Sequence, residues 1–347
     1  MMKRVLSIAV LLCILISGFC ACTTQPQKNK YTAHSMEYFD TVTTITGYAD
    51  SQEEFDTVAD EVFSAFSEYD RLYSIYHRFN GMENLCTINE LVDGQHRTVT
   101  ADRRIVDMLL YAKEMYTATN GIMNIAMGSV LSLWHDYRTI GKDNPTQASL
   151  PPMEKLREAA RHCDMEKIII DEVNNTVTLT DPQMTLDVGA IAKGYAVECV
   201  AKSLEAKDIT GYVLNVGGNV RTIGTKADGT PWAVGIENPD GGDYLAYLNL
   251  QGESVVTSGS YQRFYYVDGK PYHHIIHPET LMPADLYVSV SVVCKDSGLA
   301  DALSTALFCL PLEEGKQIVE SFADTEAMWV DADGNQTVSS GWNTFAN

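Results

Sequence analysis

Hydrophobic and polar positions repeat with two different periods along the chain, and the changes of period mark the elements. From Met36 to Tyr48 they alternate with period two, through Phe39, Thr41, Thr43 and Ile45, which predicts a strand. From Ser51 to Tyr73 the period lengthens: Phe55, Val58, Val62, Phe66, Tyr69 and Tyr73 recur at three and four, which predicts a helix capped by Asp50 or Ser51. Asn80 to Val92 reads as irregular. Ile105, Met108, Leu109, Ala112 and Met115 predict a second helix over 102–118, ended by Asn120-Gly121. Residues 121–134 read as a loop of small residues running into apolar turns, 139–152 as a linker, and 152–163 as a third helix. Ile168 to Ile170 and Thr176 to Thr180, joined through Asn174-Asn175, predict a hairpin. A helix starting near Ala190 runs to about Ala206. Short strands follow near 212–216, 220–224, 232–237, 244–250, 254–258, 263–267, 272–276 and 286–294. Helices over 297–310 and 312–322 and a strand over 326–330 close the pattern. Strands and helices mix without strict alternation, so the fold class is α+β with mostly antiparallel sheets.

Charge narrows the partners. The 347 residues carry a net charge of −21. This argues against nucleic acid or an anionic lipid surface as a partner through bulk electrostatics. It does not exclude a phosphorylated ligand, because a bound cation inverts the local sign.

The N-terminus departs from the rest. Lys3 and Arg4 precede an apolar run, Val5 to Phe19, that is too short to span a membrane, and then come Ala21-Cys22 and a polar run. These features predict an export signal over 1–22, a flexible tether over 23–34 and one folded unit over 35–347. The signal resembles that of a bacterial lipoprotein, with Cys22 as the lipidated residue and Cys20 the weaker candidate. A protein cut near Ala21 without lipid fits the same residues. The five cysteines beyond the signal are isolated and mostly apolar in context, which predicts buried thiols and not a disulfide framework.

Three constellations carry candidate chemistry. In LDVGAIAKGYAV (186–197), a strand crosses a turn containing Asp187 and Gly189 into a helix with Lys193 in its first turn, so a carboxylate, free N–H groups and a cation meet at a helix N-terminus. In ADALSTA (300–306), Asp301 and Thr305 are four apart and share a helix face. Two hard oxygen ligands suit Mg²⁺. A solvated Asp and a Thr bonded back to its own helix fit that spacing equally. In YHHIIHP (272–278), alternation sends His273 and His274 to opposite sides, so one of them is a candidate general base. Gly217-Gly218-Asn219 and Ser258-Gly259 end strands and allow close backbone approach to a ligand.

Taken in order, these segments resemble the ApbE family of flavin transferases. The residues that carry the resemblance are LDVGAIAKGYAV (186–197), VLNVGGN (213–219), VGIENP (234–239), TSG (257–259), YHHIIHP (272–278) and ADALSTA (300–306), with weaker matches in MEYFDTVTTI (36–45) and 121–134. The resemblance implies a T-fold-like catalytic unit with FAD in a cleft. It implies a Mg²⁺-dependent transferase that splits FAD at its pyrophosphate, passes FMN to a Thr or Ser of a partner flavoprotein and releases AMP. Some relatives mainly hydrolyse FAD, and a flavin-binding lipoprotein without catalysis is a further alternative. The family is found at the outer face of the cytoplasmic membrane, often held by a lipid. By residue, the resemblance implies Mg²⁺ on Ala190, Asp301 and Thr305, and His274 as base. It implies FAD contacts from Met36, Met123, Asn124, Asp187, Lys193, Gly217, Gly218, Asn219, Ser258, Gly259, His274 and Ile275. The chain departs from the family pattern at 123–126, where relatives commonly have F-D-P-T, and at His277, where they have Asp.

Overall fold

The first alternating stretch is a hairpin, not one strand. In the computed structural model, which describes residues 28–346, β1 (Asn29–Tyr38) and β2 (Thr41–Ala49) pair antiparallel. Phe39 and Asp40 form the two-residue connection at φ 54° and 51°. Such turns match strand twist but favour Asn or Gly, and here the Phe39 N–H is held by Asp70 Oδ1 at 2.9 Å. Residues 29–34, expected as tether, belong to β1. Tyr31 packs on Phe55 with ring centroids 5.5 Å apart, which gives the edge strand an apolar anchor. The proposed export signal, with Cys20 and Cys22, lies outside the described residues.

The main sheet continues through β3 (Tyr212–Val216), β4 (Asn219–Ile223), β5 (Ser254–Gly259), β6 (Ser289–Cys294), β7 (Glu326–Val330) and β8 (Gln336–Val338). Its spatial order is the sequence order, and every neighbouring pair is antiparallel. Alternation gives the sheet two faces. Ile45, Leu214 and Val216 pack with Phe55 and Phe66 of α1 (Gln52–Tyr73), which Ser51 caps by accepting from Glu54 N at 3.1 Å.

The chain between β2 and β3 adds a lobe: α2 (Arg103–Ala118), α3 (Gly128–Asp143), α4 (Met153–Ala160) and a three-stranded sheet ordered Val99–Thr100, Thr176–Leu179, Ile168–Asp171. Helix α3 corrects the expected loop and linker: the helix runs through residues 128–143. It buries Val130 and Trp134, and it begins at Met127 with no side-chain cap, so the usual start signal is missing. A short helix, Leu85–Ile88, capped by Asn84, likewise replaces part of the irregular stretch.

α5 (Ala192–Glu205) returns to the sheet and packs beside α6 (Ser297–Cys309), and α7 (Leu312–Glu320) follows. A buried ion pair ties the two helices to the sheet. Arg221 on β4 donates from Nε to Glu198 Oε2 at 3.1 Å, and the same oxygen accepts from Ser297 N at 2.9 Å. A buried pair of this kind fixes a unique arrangement more than it adds stability. The five cysteines among the described residues are free thiols; Cys294 and Cys309 are buried as expected, whereas Cys86, Cys163 and Cys199 are only partly buried. Among the described residues no helix is long and apolar enough to cross a membrane.

Candidate functional site

The turn before α5 is pinned from two sides. Asn89 pairs with the Leu186 backbone at both N–H (2.7 Å) and C=O (2.9 Å), and Asp187 N donates to the Ile125 carbonyl at 2.8 Å. Asp187 Oδ1 then accepts from Gly189 N at 2.9 Å, a local turn that aims the chain into the helix. Burial raises the Asp187 pKa, and the Gly189 N–H and the charges of His135, Arg138 and Arg263 partly offset this.

Helix α5 presents its N-terminus to Asp301 of α6. Gly194 N donates to Asp301 Oδ2 at 2.7 Å, and Lys193 Nζ lies 3.3 Å from Oδ1. The anion at this helix N-terminus is therefore the protein's own carboxylate. The approach requires glycine. A Cβ on Gly194 would stand 2.4 Å from both Asp301 Cβ and the Ser297 carbonyl. Asp301 is 4% exposed, and burial raises its pKa against the opposing pull of Lys193 and Gly194 N. It is not the solvated residue that its spacing also permitted. Thr305 Oγ1 meets Ser258 Oγ at 3.3 Å, and Ser258 also bonds Ser304 at 2.9 Å, which joins β5 to α6. Asn219 is fully buried beneath the helix junction. Its Oδ1 accepts from Ser297 Oγ at 2.6 Å, and its Nδ2 has no partner.

A cation fits this junction. Had the helix continued regularly backwards, the Ala190 carbonyl would have accepted from Gly194 N. That N–H goes to Asp301 instead, which leaves the Ala190 carbonyl without its helical donor. An under-used carbonyl, a buried carboxylate of raised pKa and a hydroxyl form a hard-oxygen donor set suited to Mg²⁺. Among the described residues no group of three or more His, Cys, Asp or Glu side chains could hold a metal.

The strand expected over 272–276 ends at His273, and His274 stands in the bend that follows, so the histidines differ by their contacts and not by strand alternation. His273 is structural: its Nε2 bonds the Ala284 carbonyl at 2.7 Å and its Nδ1 accepts from Ile275 N at 3.2 Å. His277 Nδ1 accepts from Glu279 N at 3.1 Å and shapes the next turn. His274 Nδ1 is buried without a partner, while the ring also bonds the Arg263 backbone. Burial, together with the charges of Arg263, His273 and Arg138, pushes its pKa down to about 3, so the imidazole is neutral across the physiological range.

Sequence reasoning missed the cationic part of the site. Arg138 and Arg263 both act on Asp187 and His274, and burial together with the charge of Arg263 lowers the pKa of Arg138. Arg138 Nη2 contacts His135 Nδ1 at 3.0 Å, His135 packs on Tyr76 at 5.5 Å, and Arg263 Nη2 donates to Asp40 Oδ2 at 3.3 Å. The four-residue spacing of Trp134 and Arg138 was the available signal, and reading the segment as loop and linker hid it. Two arginines acting on the same groups put local positive charge into a strongly acidic protein.

The remaining expected contacts are placed unevenly. Met36 is 79% exposed and falls where the β1–β2 register shifts between Ser35 and Tyr38, close to the Asp40 turn. Bulges of this kind re-aim side chains beside sites. Met123 is shut in the helical core, and Asn124 engages both ends of its amide, with the Cys163 carbonyl at 3.0 Å and Ala126 N at 2.8 Å, so neither side chain is open to a ligand. Ile275 is likewise buried in the core. Gly217 packs on Thr41 and Gly259 on Tyr261, each by backbone approach. Gly218 is exposed and faces the opposite side of the main sheet.

The model of the ApbE family matches residues 39–329. A Klebsiella pneumoniae protein named FAD:protein FMN transferase is 32% identical over 271 residues, covering 75% of this chain and 81% of that relative. A Treponema pallidum protein of the same name is 34% identical over 259 residues, covering 70% of each. The crystal structure of the ApbE protein of Thermotoga maritima superposes with a TM-score of 0.79 at 27% identity, over 92% of this chain and all of that one. The flavin transferase ApbE of Vibrio cholerae, at 24% identity and a TM-score of 0.74, shares the α+β fold. The chain belongs to the ApbE family.

Proposed function

We propose that the protein is a Mg²⁺-dependent FAD:protein FMN transferase. The observation that carries the reading is the meeting of Asp301 with Lys193 and Gly194 N at one helix junction, beside Thr305 and Ser258. Mg²⁺ would be held by Asp301, Thr305 and the Ala190 carbonyl, and when bound it would neutralise charge on the pyrophosphate oxygens. Lys193 and the Arg138–Arg263 pair add positive charge along the cleft, which orients an anionic substrate. The acceptor Thr or Ser hydroxyl forms a new P–O bond to the phosphorus on the FMN side. The bond from that phosphorus to the bridging oxygen breaks, AMP leaves with that oxygen, and the hydroxyl proton passes to the neutral imidazole of His274. Asp187, held through Gly189 N and through its own N–H on the Ile125 carbonyl, orients the substrate. Met36, exposed at the β1–β2 register shift, would contact the flavin.

The protein is exported and held at the outer face of the cytoplasmic membrane by a lipid on Cys22. The basic pair, short apolar run and Ala21-Cys22 support this. Labelled palmitate incorporated by wild type and lost in Cys22→Ala supports the anchor. Label kept in Cys22→Ala and lost in Cys20→Ala moves the anchor to Cys20.

The activity test is direct. Purified protein, FAD, Mg²⁺ and an apo flavoprotein domain should yield a flavin-fluorescent band on a denaturing gel, with AMP in equal amount. Release of FMN and AMP with no labelled band would establish a hydrolase. Intact FAD would establish a binding protein.

A further inference from the structure

A cavity of 710 Å³ lies on the face of the main sheet turned away from α5 and α6. Its floor includes Thr46, Asn215, Val220 and Thr257, the outward residues of four neighbouring strands. Its wall is the strand Trp232–Ile236, which pairs only with Ala246–Leu250 among the described residues. That hairpin is seated on the sheet through Ile236, Leu248 and Leu250 against Val255, Val293 and Met328.

The wall strand has a free edge. Asn249 N donates to the Phe345 carbonyl on the far side of the hairpin at 2.8 Å. Its cross-strand partner is Ala233. In an antiparallel ladder, paired residues point their backbone groups the same way relative to the pair, inward together or outward together. Ala233 therefore turns its N–H and C=O away from the hairpin, and Gly235 does the same. Every residue from Trp232 to Asn238 borders the cavity, so the cavity runs along this unpaired edge. A second observation is independent of the ladder. Trp232 is 7% exposed, and its Nε1–H has no acceptor. A buried donor at a cavity wall calls for a carbonyl.

The cavity extends to residues that neighbour the proposed site in sequence, on the other face of the sheet. Thr257 precedes Ser258, Gly218 lies between Gly217 and Asn219, and Gln262 precedes Arg263. Its lining suits a polypeptide backbone: hydroxyls, side-chain amides, apolar patches and an open strand edge, with Lys30 and Glu237 opposed in charge.

We propose that this groove receives an extended segment of the acceptor polypeptide, which adds as a strand to the edge of Trp232–Ile236 and gives a backbone carbonyl to Trp232 Nε1. The proposal rests on the transferase reading. At roughly 3.3 Å per residue, the five-residue edge seats about five acceptor residues. The hydroxyl-bearing residue then passes the rim at Gly218 and Thr257 to reach the site.

The test uses the full chain and an apo flavoprotein domain that carries its FMN on a threonine. Binding is measured by calorimetry without FAD, and FAD affinity separately by fluorescence. Ala233→Pro removes an outward N–H and leaves the hairpin bonds intact. Thr46→Trp fills the floor, and Trp232→Phe removes the buried donor. Each should weaken domain binding about fivefold to tenfold or more, with melting temperature and FAD affinity as in wild type. Unchanged domain binding in folded Ala233→Pro and Thr46→Trp overturns the groove, as does wild-type protein that binds no acceptor. Groove-dependent binding with no FMN transfer leaves the groove standing and overturns the transferase reading alone.

Discussion

Gly194 donates its backbone N–H to Asp301 Oδ2 at 2.7 Å, across 107 residues of chain. The contact exists because position 194 has no side chain. Gly194→Ala should separate α5 from α6, at about 1–3 kcal/mol for an overpacked junction, and should reduce transfer by two orders of magnitude or more. Thermal unfolding and a Mg²⁺ titration of transfer rate check both effects. Wild-type activity in Gly194→Ala would remove this junction from the site.

Asp301 is a carboxyl group in a place that disfavours its charge. Its pKa is raised by burial, so the folded state binds its proton more tightly than the unfolded state does. Stability from this group therefore falls as pH rises from the unfolded value of 3.8 through the raised folded value. Asp301→Asn should keep or raise the melting temperature of the metal-free, FAD-free protein at neutral pH. Transfer should drop by roughly 10²–10³ with the charge gone. A variant that unfolds more easily than wild type at pH 7 contradicts the assignment.

His274 shifts in the opposite sense. Its folded pKa is about 3 against an ordinary value of 6.5. The unfolded chain takes up the proton first, so stability is lost as pH falls below about 6.5. His273, also lowered by burial, adds to this slope. His274→Gln should flatten the acid slope of stability and cut transfer by about 10²–10⁴, the usual range for a general base. Denaturant titrations at pH 4.5 and 7 on both proteins measure the first effect. An equal slope in the two proteins would place His274 in an ordinary environment.

Arg138 is one of the charges that hold the His274 pKa down. Arg138→Met should raise the His274 pKa, seen as an upward move of its imidazole titration by NMR, and should weaken FAD binding several-fold. A conservative Lys should recover part of both effects. A His274 titration identical in wild type and Arg138→Met separates the arginine from the site.

Ser258 bridges β5 to Ser304 and Thr305. Ser258→Ala should remove about 1 kcal/mol of hydrogen bonding and raise the Mg²⁺ concentration needed for half-maximal transfer about fivefold. FAD affinity without metal should stay unchanged.

The sequence carried the strands and helices that have strong periods. It also carried the pairing of residues near 190 with residues near 301, through the family resemblance. It lost α3, whose start at Met127–Gly128 lacks a capping side chain and whose small residues, Gly128 and Gly141, are dictated by close neighbours: Thr185 and Tyr265. With α3 went Arg138, and so the positive half of the cleft. The β1 hairpin was read as one strand because Phe39 and Asp40 adopt left-handed backbone without the glycine or asparagine that announces it. The burial of Met123 and Ile275 and the inward amide of Asn124 depend on packing between lobes, which no local pattern encodes.

The order of the main sheet has a consequence for assembly. The strands between α5 and α6, from β3 to β6, add one beside the next, each antiparallel to its predecessor. Lys193 and Asp301 are brought together only when that whole succession has closed a loop of about a hundred residues, which is among the slower steps of folding. A chain with native hairpins but an incomplete sheet has no such junction. Flavin binding therefore reports that the last long-range closure has occurred, and a partially folded protein is silent toward its substrate.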